Sequence, residues 1–261
     1  GDWSSDVCSS DLFTGDIYAM PEGTPVFPRE PMVIVRAKAI EAQLIETFTL
    51  LTINHQSLIA TKANRIARAA RGRTVLEFGS RRAQGADAAI IGARAAYIGG
   101  VAGTACTISD QIYGVPAGGT MAHAWVQMFD SEYDAFKTYC QIYPHNATLL
   151  VDTYMAYLTR KARKMLDEAG WTECQISVSN SLDEYLIQDL LLQDAKIDLF
   201  GVGERMITAK SEPVFGGVYK LAAVEDQQGN ITPKIKISEN VEKITIPHFK
   251  KVYRFYGNDT G

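Results

Sequence analysis

Between Thr74 and Phe200 the chain alternates short apolar runs with stretches of helical periodicity, and this alternation restricts the fold more than any other feature. β-branched and apolar residues predict strands over Thr74–Phe78, Ala147–Asp152, Gln175–Val178 and Ile197–Phe200, with a further strand over Thr120–Gln127. The intervening periodicity predicts helices over Ala86–Tyr97, Gly103–Ile112, Ser131–Ile142, Met155–Ala169 and Leu182–Gln193. Ser181 to Glu184, SLDE, has the form of a capping box, in which the serine satisfies backbone amides and the glutamate reaches back. Strands that alternate with helices pair in parallel, and the pattern predicts an α/β barrel rather than an open sheet.

The flanks read differently. From Phe13 to Val35 short apolar stretches are broken by Gly15, Pro21, Gly23, Pro25, Pro28 and Pro31, and Val33-Ile34-Val35 predicts a strand. Apolar residues at helical spacing (Ile40, Leu44, Phe48, Leu51, Leu58, Ile59, Ile66) predict one or two long helices between Ala37 and Arg71. After Glu212, strands are predicted over Gly216–Val224 and Lys234–Tyr256. The expected organisation is a β-rich domain built from residues 13–45 and 215–261 around a partial α/β barrel of residues 46–214. The first twelve residues, GDWSSDVCSSDL, lack the basic and apolar regions of a signal peptide. They read as a translated adaptor oligonucleotide, a non-native leader expected to pack poorly.

A chain of 261 residues with 46% apolar composition can bury a sizeable core, as one large domain or two smaller ones. Its net charge of −4 argues against a nucleic-acid surface, so anion binding has to come from local clusters. Cys8, Cys106, Cys140 and Cys174 are widely spaced and form no C-x-x-C pair, as expected of a reduced cytoplasmic protein. No apolar run is long enough for a membrane span.

Arg81 and Arg82 directly follow the Thr74–Phe78 strand, on the face where a barrel gathers its active-site loops. Paired guanidiniums there suit phosphate or carboxylate binding; the bland alternative is loop capping, or pairing with Glu77 and Asp87. His123 stands among small residues in GTMAHAW, as a nucleophilic imidazole or as an ordinary loop histidine. Gly201 and Gly203 follow the apolar IDLF, where bare amides can face a phosphate or simply make a tight turn. Asp152 and Asn180 lie just past strand ends, facing substrate or capping the next helix. Gly216 and Gly217 open a predicted strand and serve a phosphate or a bulge equally well.

Taken together, EFGSRRAQGADAAIIGARAAYIGGVAG from Glu77, GTMAHAW from Gly119, and FGVGERMITAK with FGGVYKL resemble the signature segments of nicotinate phosphoribosyltransferase. The resemblance implies an incomplete, irregular (β/α) barrel of the nicotinate/quinolinate phosphoribosyltransferase kind, with a small β-rich domain from both chain ends. It implies transfer from phosphoribosyl pyrophosphate to nicotinate in NAD biosynthesis, with Mg²⁺ present and ATP transiently phosphorylating His123. Arg81 and Arg82 would hold phosphate or the nicotinate carboxylate, while Gly201, Gly203, Gly216 and Gly217 would help hold the ribose 5-phosphate. A homodimer is implied on the same ground.

The chain departs from that family in three expected ways. A family segment bearing a stacking tyrosine is missing ahead of Phe13, and the usual C-terminal region is missing after Gly261. A whole βα unit is also absent, since LLVDTYM runs almost directly into AYLTRKARKMLDEAG. The alternative readings are therefore a catalytically dead remnant that at most binds phosphate, or a related nicotinamide or quinolinate phosphoribosyltransferase.

Overall fold

A computed structural model describes residues 13–239 and 244–255. The expectations for the leader 1–12, with Cys8, and for parts of the Lys234–Tyr256 prediction lie outside the described residues. The chain divides into two compact units, residues 1–53 with 216–261, and residues 54–215, with the division inside one long helix.

In the first unit, β1 (Asp16–Ala19) pairs antiparallel with β2 (Val33–Arg36), with Ile17 opposite Val35. The short helix α1 (Ala39–Leu44) is tied back by Glu41, whose carboxylate accepts from the Thr14 amide at 2.9 Å. A second hairpin, β8 (Ala223–Glu225) with β9 (Ile231–Pro233), turns around Asp226, whose carboxylate accepts from the amides of Gln228 and Asn230. Two expectations are corrected here. The strand predicted over Gly216–Val224 shrinks to Ala223–Glu225, and no strand is present among the described residues of 234–256. Pro247 removes an amide donor from the second segment, which forms no ladder among the described residues.

The second unit is a parallel five-stranded sheet in the order β4-β3-β7-β6-β5, built from β3 (Thr74–Glu77), β4 (Gly103–Thr104), β5 (Thr148–Val151), β6 (Gln175–Val178) and β7 (Leu199–Val202). Its helices are α2 (Glu46–Ala69, from Asn54 onward), α3 (Ala86–Ile98), α4 (Thr107–Tyr113), α5 (His123–Val126), α6 (Glu132–Ile142), α7 (Met155–Glu168), α8 (Glu184–Leu192) and α9 (Glu204–Ile207). The alternation thus yields the expected incomplete α/β barrel: among the described residues β5 and β4 end the sheet, and beyond β4 only Thr104 makes an isolated parallel bridge, to Ala117.

Register explains the core. Val75, Phe200 and Val178 are in line across three strands, so their side chains share one face, on which Ile176, Val151 and Val202 also lie. That face packs on Ile59, Ala63 and Ile66 of α2, Ala95 and Ala96 of α3, and Ile187 and Leu190 of α8. A smaller cluster joins Leu149, Cys140 and Cys174 to Trp125, Phe136 and Trp171.

Cys140 Sγ and Cys174 Sγ lie 3.9 Å apart as free, buried thiols. Burial pushes both thiols up, Cys174 to about 12, so neither forms thiolate near neutrality. In the native protein at about pH 8, a maleimide should leave both unlabelled, whereas urea-unfolded protein should label fully. Peptide mass spectrometry reads the outcome, and rapid native labelling of Cys174 would contradict this packing.

Three further local expectations change. Thr120–Gln127 is not a strand: His123–Val126 forms a short helix, held by Trp125, which packs tilted against Phe129 and edge-on against Tyr139 at 4.8 and 5.5 Å between ring centroids. The predicted Gly103–Ile112 helix splits into β4 and a helix that starts at Thr107. The N-cap of α8 is Asp183, not Ser181; its carboxylate accepts from Tyr185 N at 3.1 Å and Leu186 N at 2.9 Å. Ser181 has φ 55, outside the extended backbone that an N-cap needs.

Candidate functional site

All five strands run in parallel, so the loops at their C-terminal ends gather along one rim, the usual ligand-binding edge of such sheets. Two clusters form there.

The first lies at the ends of β3 and β7. Phe78 N donates to Val202 O at 2.8 Å, and the chain then turns through Gly79 into a single 3₁₀ turn, Ser80–Arg82. A side chain at Gly203 would meet Phe78 O at 3.1 Å and Gly79 Cα at 3.7 Å, so the two glycine turns lie against each other. Arg81 and Arg82 are exposed, and among the described residues neither side chain makes a hydrogen bond or ion pair. The alternative pairing with Glu77 is not realised, because Glu77 is buried and bonded elsewhere. Arg82 sits close enough to Glu204 of α9 to help Lys210, which bonds that carboxyl at 3.1 Å, hold it below the usual carboxylate range.

Gly201 has a different role from Gly203. It lies inside β7, and a side chain there would run into the Phe78 ring; its vacancy seats an aromatic residue instead of exposing an amide. Gly216 and Gly217 belong to the other compact unit, and a side chain at Gly216 would meet nothing within 4 Å.

The second cluster lies at the ends of β5 and β6. Asp152 accepts from Ser179 Oγ at 2.8 Å, and its other carboxylate oxygen lies 3.2 Å from His123 Nε2. Asn180, at φ 80, donates from its amide to Asp152 O at 3.4 Å. The His123 side chain is 62% exposed, so its ring is open to a ligand on the side away from Asp152. An open cleft of about 460 Å³ borders this cluster, lined by Asp152, Tyr154, Met155, Asn180, Leu186 and Leu190 among others. The structure thus joins Arg81, Arg82 and Gly203 in one group and His123, Asp152 and Asn180 in another.

Buried charges behind the rim were not anticipated. Asp183 is buried and bonded to Arg205 of α9; despite its burial, the Leu186 amide and Arg205 hold its carboxyl low. Lys62 Nζ lies 2.7 Å from Oε2 and 3.0 Å from Oε1 of Glu184, with both side chains under 10% exposed. Lys62 carries a sequence signal: it falls on the apolar stripe Ile59, Ala63, Ile66 of α2. Glu77 carries another, as the lone acid in the apolar strand TVLEF.

Among solved structures, the chain is similar to human nicotinic acid phosphoribosyltransferase (TM-score 0.64, 22% identity, 73% of this chain and 56% of that one). It is also similar to nicotinate-nucleotide pyrophosphorylase of Pyrococcus furiosus (TM-score 0.65, 24% identity, 92% and 70%). These likenesses show the fold, an incomplete α/β barrel.

No family model matches the chain. In sequence, it is 44% identical to nicotinate phosphoribosyltransferase of Bacillus subtilis over 91% of its length. It is 40% identical to nicotinate phosphoribosyltransferase pncB2 of Mycobacterium tuberculosis over 93%. The chain is similar to members of the nicotinate phosphoribosyltransferase family over about nine tenths of its own length. It spans about half the length of the curated relatives it matches, 54% and 57%. Both alignments, at 269 and 273 positions, are longer than the 261-residue chain, so the relatives carry internal residues that have no counterpart here.

Proposed function

We propose that the chain is the anion-handling part of a nicotinate phosphoribosyltransferase, which joins nicotinate to phosphoribosyl pyrophosphate and releases nicotinate mononucleotide and pyrophosphate. The observation that carries this reading is the pair of exposed guanidiniums, Arg81 and Arg82, which make no hydrogen bond or ion pair among the described residues and follow the touching turns of Gly79 and Gly203. Two forked donors beside closely approached backbone suit a pyrophosphate, whose charge grows as the bond to the sugar breaks. The pyridine nitrogen attacks the anomeric carbon, and the protein contributes positioning and charge neutralisation.

His123 is the proposed acceptor of the ATP phosphoryl group. Its Nε2 faces Asp152, which orients the ring and stabilises the positive charge that an imidazole acquires on phosphorylation. Ser179 and Asn180 hold Asp152 in place from the neighbouring strand end. The described residues contain no group of three or more His, Cys, Asp or Glu able to hold a metal, so a Mg²⁺ here would take at most one or two carboxylates and complete its shell with water and substrate phosphates. In this reading Mg²⁺ would neutralise the substrate phosphates, and no step depends on it.

The homodimer and the cytoplasmic setting belong to the same reading, the first supported by similarity to the family and the second by the described cysteines, Cys106, Cys140 and Cys174, all free and buried. No described helix is long and apolar enough to cross a membrane.

A second reading, a remnant that binds phosphate without turnover, is favoured by the unclosed sheet and by the internal residues present only in relatives. One experiment separates the two. The full chain is incubated with nicotinate, phosphoribosyl pyrophosphate, Mg²⁺ and ATP, and nicotinate mononucleotide is measured by chromatography. Product that is lost in His123→Ala when ATP is limiting supports the enzyme. Pyrophosphate binding without product supports the remnant, and neither binding nor product removes both.

A further inference from the structure

We infer that Glu77 is a positioning residue: its buried carboxylate ties the end of β3, the arginine-bearing turn and the loop after β4 together, and so fixes where Arg81 and Arg82 point. The inference rests on the anion-binding role proposed above for those arginines.

Glu77, the last residue of β3, is fully buried beneath the rim turn, and its ladder register places it on the helix-facing side of the sheet with Val75 and Val202. It is therefore not a group that touches substrate. Nor is it half of an ion pair: its oxygens are engaged by neutral donors. Oε2 accepts from Thr104 Oγ1 at 2.7 Å, and Oε1 accepts from the Gly79 amide. Burial pushes its carboxyl pKa up, with both hydrogen bonds opposing that shift. As a packing element alone, a buried acid without a cation is a poor choice, since leucine or valine would fill the space without desolvating a charge.

What an apolar residue lacks is the pair of acceptors. Thr104 Oγ1, which donates to Glu77, accepts in turn from the Cys106 amide at 2.9 Å, and Ala105 N donates to Glu77 O at 2.9 Å. On the other side the relay continues to the arginines: Gly79 N donates to the Glu77 carboxylate, and Gly79 O accepts from Arg82 N at 2.7 Å. Arg82 is thus two hydrogen bonds from the carboxylate.

Residue 79 is also wedged. A side chain there would meet Ile207 Cβ at 2.6 Å and Glu77 Oε1 at 2.8 Å, so the turn is held between helix α9 and the acid with no slack. Such locking matters because a guanidinium fork recognises an anion by geometry, and a loose turn loses that advantage before it loses the charge.

The test uses the full chain and inorganic pyrophosphate, titrated calorimetrically, with thermal unfolding recorded for each variant. Glu77→Gln keeps the shape but retains only one acceptor. Thr104→Val removes the donor on the other side, and Thr104→Ser restores the hydroxyl. Glu77→Gln and Thr104→Val are each expected to raise the pyrophosphate Kd by about tenfold, as one lost charge-assisted hydrogen bond would, and Thr104→Ser to recover the wild-type value. Exchange of the Arg82 amide should quicken in the two weakened variants.

A purely structural role would lower the melting temperature of the same variants and leave the Kd of the folded protein unchanged, which overturns the inference. Thr104→Val decides the matter if Glu77→Gln does not fold. Should the wild-type chain itself fail to bind pyrophosphate, the proposed function falls first and takes this inference with it. Wild-type binding that is indifferent to both variants removes the positioning role alone.

Discussion

Replacing Arg81 and Arg82 together by alanine is expected to weaken pyrophosphate binding by more than about a hundredfold, with thermal unfolding unchanged. Hydrogen bonds to charged groups contribute about 1.5–3 kcal/mol each, and each 1.4 kcal/mol is about a factor of ten in Kd. Both arginines are exposed, so the lower end of that range applies. A single replacement then raises Kd about tenfold, and two guanidiniums on one anion combine to the larger loss. Stability should be untouched because neither side chain makes a hydrogen bond or ion pair among the described residues, and exposed truncations of this kind stay within about 0.5 kcal/mol. Arg82→Lys, which keeps the charge without the fork, should fall between. Titration at two salt concentrations adds a check, since the wild-type Kd should rise more steeply with salt than that of the double variant. An alanine pair that binds pyrophosphate as tightly as the wild type would remove the anion rim.

How much of this was legible in the sequence depends on the range of the interaction concerned. The α/β alternation was plain, because strands buried on both faces must be apolar throughout and their helices must keep a stripe. So was the arginine pair, whose neighbours in sequence are also its neighbours in space. What the sequence hid was decided by contacts between distant residues. The segment around His123 alternates well enough for a strand, but Trp125 finds Phe129 and Tyr139, and the chain coils to let it. Ser181 satisfies a capping pattern that its left-handed backbone forbids, while Asp183 two residues on reaches two amides and Arg205. Gly201 looks like its neighbour Gly203 in sequence, yet only the β3–β7 pairing reveals that Phe78 occupies the space a side chain would need. The terminal segments carry strand-forming residues, but pairing belongs to partners, and sequence alternation names none.

Lys62→Met is expected to be the most destabilising single change behind the rim, about 3–5 kcal/mol, because it strands Glu184 as an unpaired buried charge. Methionine matches the stem of lysine and suits the apolar stripe it occupies, so the penalty comes from the acid left behind and not from a cavity. If that is the cause, removing the acid as well must restore stability, and Lys62→Met/Glu184→Leu should return to within about 1 kcal/mol of wild type or exceed it. Urea midpoints for the two single variants and the double variant give the coupling energy directly. The consequence reaches the rim. Glu184 opens the helix whose N-cap, Asp183, bonds Arg205, and Arg205 stands two residues beyond Gly203 in the turn that backs the arginine pair. Lys62→Met protein that remains folded should therefore also bind pyrophosphate more weakly, and the double variant should recover only the stability that depends on charge balance. A Lys62→Met midpoint equal to wild type would mean that Glu184 finds water or takes up a proton at no cost, and that α2 and α8 are held together by their apolar contacts alone.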